Sequence, residues 1–183
     1  MQDSYGREIS YLRISVTDRC NLRCRYCMPE EGVPLIAHEQ ILRSEQIAEV
    51  VREAAKLGFT KIRLTGGEPL VRKGIVDLVK MLSAIEGVQT LAMTTNGTLL
   101  SEYAEGLAAA GLQRVNISLD TLDAERYAFI TRGGDLREVL SGIEAARNAG
   151  LAIKLNMVVQ PGTSAAEIAA LRAFARANSA TLQ

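Results

Sequence analysis

Five stretches of this chain alternate apolar and polar residues, and between them the apolar residues recur every three or four positions. Tyr11 to Thr17, Lys61 to Thr65, Thr90 to Thr95, Arg114 to Asp120 and Leu151 to Val159 carry the period of two that predicts strands. The intervening segments predict helices. One follows Ser44, carries Ile47, Val50, Val51 and Ala54, and stops at Gly58; a second carries Ile75, Leu78, Val79 and Leu82 and ends at Gly87. A third, capped by Ser101, ends at Gly111. Two shorter pieces begin at Asp123 and Asp135, the latter bearing Leu136, Val139, Leu140 and Ile143 before Gly150. After a turn at Pro161-Gly162, Ser164 caps the last helix. Gly58, Gly87, Gly111 and Gly150 are each followed by an apolar residue and a new strand, as expected where glycine closes a helix in the left-handed conformation.

Strict alternation of strand and helix predicts an α/β protein of βα units around a parallel sheet, with right-handed crossovers. The architecture expected is a partial, TIM-like barrel of about five complete strands with helices outside. The closing residues, Ala180 to Gln183, look like the opening of a sixth strand. One domain is therefore expected over residues 1–183, truncated before that strand is complete.

The strands do not have the continuous apolar runs of a sheet covered on both faces. Leu12, Ile14 and Val16 share one face, as do Ile62 and Leu64, then Val115, Ile117 and Leu119, then Ile153, Leu155 and Met157. The other face carries Arg13 and Ser15; Lys61, Arg63 and Thr65; Thr94 and Asn96; Arg114, Asn116, Ser118 and Asp120; Lys154 and Asn156. The apolar set is the natural choice to pack on the helices. A partly open barrel then leaves the polar set lining a cavity, and its five cations (Arg13, Lys61, Arg63, Arg114 and Lys154) suit an anionic ligand such as a phosphate. The competing reading places them at strand ends, paired or in solvent.

Composition narrows the class. The chain has 183 residues, 48% hydrophobic and 23% charged, which is ordinary for a globular domain able to bury a core. Lys plus Arg and Asp plus Glu both total 21, so no overall basic field points to nucleic acid. The polar start lacks the apolar core of a signal peptide, and no run reaches the length of a membrane span. A cytoplasmic protein is the expectation.

All three cysteines, Cys20, Cys24 and Cys27, lie in the loop after the first strand. Three thiols in eight residues point to metal or redox chemistry, since a disulfide framework wants pairs spread along the chain. Three is one fewer than a closed tetrahedral thiolate site needs. A Cys3His zinc site with His38, the only histidine, is one way to complete it. An iron–sulfur cluster with one iron left free of cysteine is the other, and the spacing fits it better than the paired Cys-x2-Cys knuckles of zinc sites.

The Cys-x3-Cys-x2-Cys spacing, with Tyr26 before the third cysteine, resembles the signature of radical S-adenosylmethionine (SAM) enzymes. Gly66-Gly67-Glu68-Pro69 after the second strand resembles their GGEP motif. The resemblance narrows to the GTP 3′,8-cyclase family of molybdenum-cofactor biosynthesis. It is carried by Gly6-Arg7, Tyr11 to Asn21, Tyr26 to Gly32, Lys61 to Leu70, Thr94 to Gly97, Arg114 to Asp120 and Lys154 to Asn156. It implies a radical-SAM lyase. Cys20, Cys24 and Cys27 would hold a 4Fe–4S cluster whose fourth iron is chelated by SAM. Tyr26, Gly66, Gly67, Glu68 and Ser118 would contact SAM. Arg13, Lys61, Arg63, Thr94 and Lys154 would contact GTP. Reductive cleavage of SAM would give a 5′-deoxyadenosyl radical that takes hydrogen from the ribose 3′ carbon, after which that carbon closes onto C8 of guanine. Expected partners are GTP, SAM and a reductant such as flavodoxin or ferredoxin, and a homodimer is an arrangement open to the chain. The family also carries a second three-cysteine 4Fe–4S cluster near its C-terminus. This sequence has no cysteine after Cys27, so a fragment without cyclase activity is expected. Two other readings compete: a radical-SAM enzyme with another substrate, and a non-catalytic cluster- or zinc-binding module.

Overall fold

The structure, a computed structural model, describes residues 2–183, with the side chain of His38 outside the description. Six parallel strands form one sheet in sequence order: β1 (Tyr11–Ser15), β2 (Lys61–Thr65), β3 (Thr90–Thr95), β4 (Arg114–Ser118), β5 (Ala152–Asn156) and β6 (Thr181–Leu182). The helices between them are α1 (Ser44–Lys56), α2 (Ile75–Ser83), α3 (Leu100–Ala109), α4 (Ala124–Thr131), α5 (Leu136–Asn148) and α6 (Ala165–Ala177). Every strand pairs only with its neighbours in sequence, so β1 and β6 remain edges and the barrel is open. The expected sixth strand is present as a two-residue pairing with Lys154 and Leu155 of β5.

The outer face holds the core. Ile62, Leu64, Leu91, Met93, Val115, Ile117, Ile153 and Leu155 pack against Ile47, Val51, Leu78, Leu82, Leu107, Val139, Ile143 and Leu171 of the helices. Leu12 and Ile14 are only half-buried because β1 lies at an edge. All four helix-ending glycines have positive φ, from 77° to 100°, and Asp123, Asp135 and Ser164 accept hydrogen bonds from the first turns of α4, α5 and α6.

Two expected caps are displaced. Helix α1 already includes Ser44: Arg43 is its N-cap, held by Gln46 Oε1 accepting the Arg43 N–H at 2.9 Å. Helix α3 includes Ser101 and has Leu99 as N-cap with no side-chain bond; burial of Leu100 and a Leu100 N–H to Gly97 O bond start the helix early. β1, β4 and β5 are shorter than their alternating patterns, which run on to Thr17, Asp120 and Val159 while the strands end at Ser15, Ser118 and Asn156.

A candidate metal centre above an unpaired polar face

Beyond β1 the chain stays extended and runs beside the loop after β2. Thr65 O accepts from Val16 N–H, Thr17 O from Gly67 N–H and Arg19 O from Glu68 N–H, each at 2.8 Å. This close approach is what the two glycines are for. A Cβ on Gly66 would stand 2.3 Å from Thr17 O, and one on Gly67 2.3 Å from Arg19 O, both backbone atoms that cannot turn aside. Gly66 also has φ of 152°. The outward sides of both glycines stay exposed beside the cysteine loop.

Glu68, expected at the SAM site, is turned toward the interior. It is 1% exposed, and its carboxylate faces the end of β3. Oε1 accepts from Leu70 N–H at 3.0 Å and Thr95 Oγ1–H at 2.7 Å, and Oε2 accepts from Asn96 N–H at 2.6 Å. Burial pushes its carboxyl above the usual range, and these donors oppose that shift. The amide of Asn96, so fixed, donates to Asn21 Oδ1 at 2.8 Å and lies 3.9 Å from Cys20 Sγ. Asn21 in turn donates to Thr98 Oγ1 at 2.9 Å. The sequence patterns offered no sign of this relay, because its members lie 27 to 77 positions apart.

The other side of the cysteine loop rests on the end of α4. Helix ends leave carbonyls without partners, and here the loop supplies donors: Arg23 N–H to Thr131 O at 3.2 Å, Arg25 N–H to Ile130 O at 2.9 Å, and Arg25 Nε–H to Phe129 O at 2.8 Å. The Arg25 guanidinium also stacks 3.9 Å from the Phe129 ring centre.

Between these supports Cys20 and Cys24 are half-buried and Cys27 is exposed, all as free thiols. Burial raises the Cys20 thiol. Burial pushes Cys24 up to about 11, with the neighbouring Cys27 and Cys20 adding to the shift. Among the described residues no three His, Cys, Asp or Glu side chains converge tightly enough for a single metal ion. The three thiols are nonetheless neighbours, since Cys27 and Cys20 both act on Cys24. Cys20 and Cys24, whose burial disfavours the charged form, suit a soft, positively charged multinuclear group that would take them as thiolates. The zinc alternative rested on His38, whose side chain lies outside the described residues. Tyr26 is partly exposed, and burial together with the neighbouring Asp120 carboxylate keeps its phenol protonated. Ser118 closes β4, half-buried and in register with Asn156.

The polar face below is laid out by register. Arg13 pairs with Arg63, Arg63 with Ala92, Ala92 with Arg114 and Arg114 with Ala152, which puts three guanidinium stems in one row with alanines beside them. The next polar row toward the thiols contains Ser15, Thr65, Thr94, Asn116 and Lys154. Lys61 is farther off, in the row of Tyr11 and Thr90 at the N-terminal ends of the strands. It lies ~13 Å along β2 from Thr65 at 3.3 Å per residue. Among the described residues none of the five cations is within ion-pair distance of a carboxylate. Arg63 Nε, Asn116 Oδ1 and Asn156 Oδ1 are buried without a hydrogen-bond partner. Buried polar atoms are paired in the great majority of cases, so these three set the inner face apart from the outer one.

No described helix is long and apolar enough to cross a membrane. Comparison with known proteins places this geometry. GTP 3′,8-cyclases of Peptoclostridium acidaminophilum, Pelotomaculum thermopropionicum and Moorella thermoacetica are 60%, 59% and 56% identical to it, over 91%, 93% and 96% of the chain. The chain spans only 51%, 53% and 55% of their lengths, about half of each. Among solved structures, Streptococcus suis SuiB bound to S-adenosylmethionine superposes with a TM-score of 0.78 at 20% identity, over 94% of this chain and 40% of that one. Methylornithine synthase superposes with 0.76 at 16% identity, over 94% and 52%. Both show the fold. The Radical SAM superfamily matches residues 14–175, and with the thiol loop on its two supports the chain belongs to that superfamily.

Proposed function

We propose that this chain is the SAM-cleaving half of a GTP 3′,8-cyclase, with Cys20, Cys24 and Cys27 holding a 4Fe–4S cluster. Reduced by a donor such as flavodoxin or ferredoxin, that cluster supplies the electron for SAM cleavage. The exposed sides of Gly66 and Gly67, with Ser118 and Tyr26, offer the polar edge for SAM next to the thiols. Glu68 serves SAM as a positioning residue: its buried carboxylate sets Asn96 and Thr95, and through them the floor beneath Cys20. The observation that carries the choice of substrate is the row of guanidinium groups without ion-pair partners that crosses the inner face of the sheet, one polar row away from the thiol side. A polyphosphate bound there by Arg13, Arg63 and Lys154 places its nucleoside toward the thiols. Arginine binds phosphate oxygens in pairs, Thr94 adds a hydroxyl in the adjoining row, and Lys61 extends the positive charge to the far end. The orphaned Asn116 and Asn156 oxygens accept N–H or O–H groups from the ligand.

The test is anaerobic reconstitution followed by SAM and GTP deuterated at the ribose 3′ carbon. The chain is expected to bind iron and sulfide, to release 5′-deoxyadenosine, and to bind GTP with an affinity that falls on Arg63→Ala. Deuterium transfer into 5′-deoxyadenosine would show the expected hydrogen abstraction. Completed cyclisation by this chain would refute the reading that it is half of the machinery. Release of 5′-deoxyadenosine without GTP binding points instead to another substrate, and stoichiometric zinc with neither signal points to a structural module.

A further inference from the structure

Arg132 ends α4 in the left-handed conformation, with φ of 55° and ψ of 56°. Only two non-glycine residues in the described chain have positive φ, and the next two residues after Arg132 are Gly133 and Gly134. A glycine at position 132 would carry no Cβ penalty, so an arginine there is a conformational cost that its side chain must offset. The side chain turns back to the cysteine loop. Its Nη1 donates to Arg23 O at 2.7 Å and to Met28 O at 2.9 Å, 109 and 104 residues away. Those two carbonyls stand immediately before Cys24 and immediately after Cys27. Inside this span, Cys24 O accepts from Cys27 N–H at 2.9 Å and from Met28 N–H at 3.2 Å, so the bracketed segment is already one closed turn. Arg132 Nε is buried without a partner, so the whole guanidinium is held in place by these two bonds.

We propose that Arg132 is a positioning residue for the iron–sulfur ligands. One planar nitrogen clamps both ends of the Cys24–Cys27 turn and ties its flanking carbonyls to the end of α4. The loop is thereby shaped before any metal arrives. The left-handed backbone is the device that aims the guanidinium backward across the helix end. Residues that orient metal ligands in this way typically contribute 10- to 100-fold in metal retention. The inference rests on the proposed cluster-binding function.

Its test compares the parent chain with Arg132→Gly, which keeps the left-handed backbone and removes only the guanidinium. After anaerobic reconstitution, iron release to a chelator is timed, and melting of the cluster-free chain is followed separately. Arg132→Gly should release iron about 10-fold faster or more, while cluster-free melting moves little, because glycine relieves the backbone cost. Free guanidinium ion should partly restore retention. Iron release at the parental rate would overturn the proposal, as would faster release matched by an equal collapse of cluster-free melting. If the parent itself binds no iron, the cluster reading fails, and the clamp is then judged by protease cutting of the cluster-free loop, which Arg132→Gly must accelerate.

Discussion

Arg63 and Leu64 are neighbours on β2 and face opposite sides of the sheet. Leu64 is fully buried against the helices, in a layer made chiefly of apolar side chains packed on one another. Arg63 is half-buried, lies 5.2 Å over the Tyr11 ring, and keeps a buried Nε with no acceptor. The same contrast holds for Ile117 and Asn116 on β4 and for Leu155 and Asn156 on β5. The outer face satisfies itself, whereas the inner face carries charge and polarity that the chain does not neutralise. Stability therefore resides on one side of the strands, and the proposed recognition on the other.

Substitutions at adjacent residues can break that comparison. Leu64→Ala should cost about 3 kcal/mol, within the range for fully buried leucines, as a lowered denaturation midpoint at unchanged slope. Arg63→Ala should cost far less and instead lose nucleotide binding; an equal loss of stability would make the inner face part of the core. Glu68→Gln should cost about 2 kcal/mol, since charged hydrogen bonds contribute about 1.5–3 kcal/mol each and the new amide would set N–H against the Asn96 N–H. Thermal melting at neutral pH would show it. Asn116→Leu should change stability by less than about 1 kcal/mol, in the favourable direction, because it removes an unpaired buried oxygen; chemical denaturation decides. The last effect is absent at neutral pH and grows as pH rises. With its folded value raised to about 11, Cys24 keeps a proton that the unfolded chain releases from about pH 8.5 upward, so cluster-free stability should fall as pH rises through that window. Alkylation of Cys24, followed by peptide mapping, should accelerate across the same range.

The helix starts at Asp123, Asp135 and Ser164 were legible because each side chain caps its own next residues, a contact that local sequence contains in full. Ser44 and Ser101 carried the same signal and misled, since Gln46 and the buried Leu100 moved those starts upstream. The glycines of Gly66-Gly67 were legible as a turn or ligand loop. Their reason is the Thr17–Arg19 backbone lying against them, which no local pattern records. Nothing in the local pattern singled out Arg132.

By itself the sequence determined the order of strands and helices, the apolar face of each, the helix-closing glycines and the three thiols of one loop. All of these follow from periodicity and spacing over a few residues. Only the tertiary structure decided that Arg13, Arg63 and Arg114 share a row, that Glu68 turns inward to Asn96, and that the cysteine loop rests on the end of α4. Those depend on strand register and on bonds between residues as far as 109 positions apart. A shift of one residue in register would send every side chain of a strand to the other face.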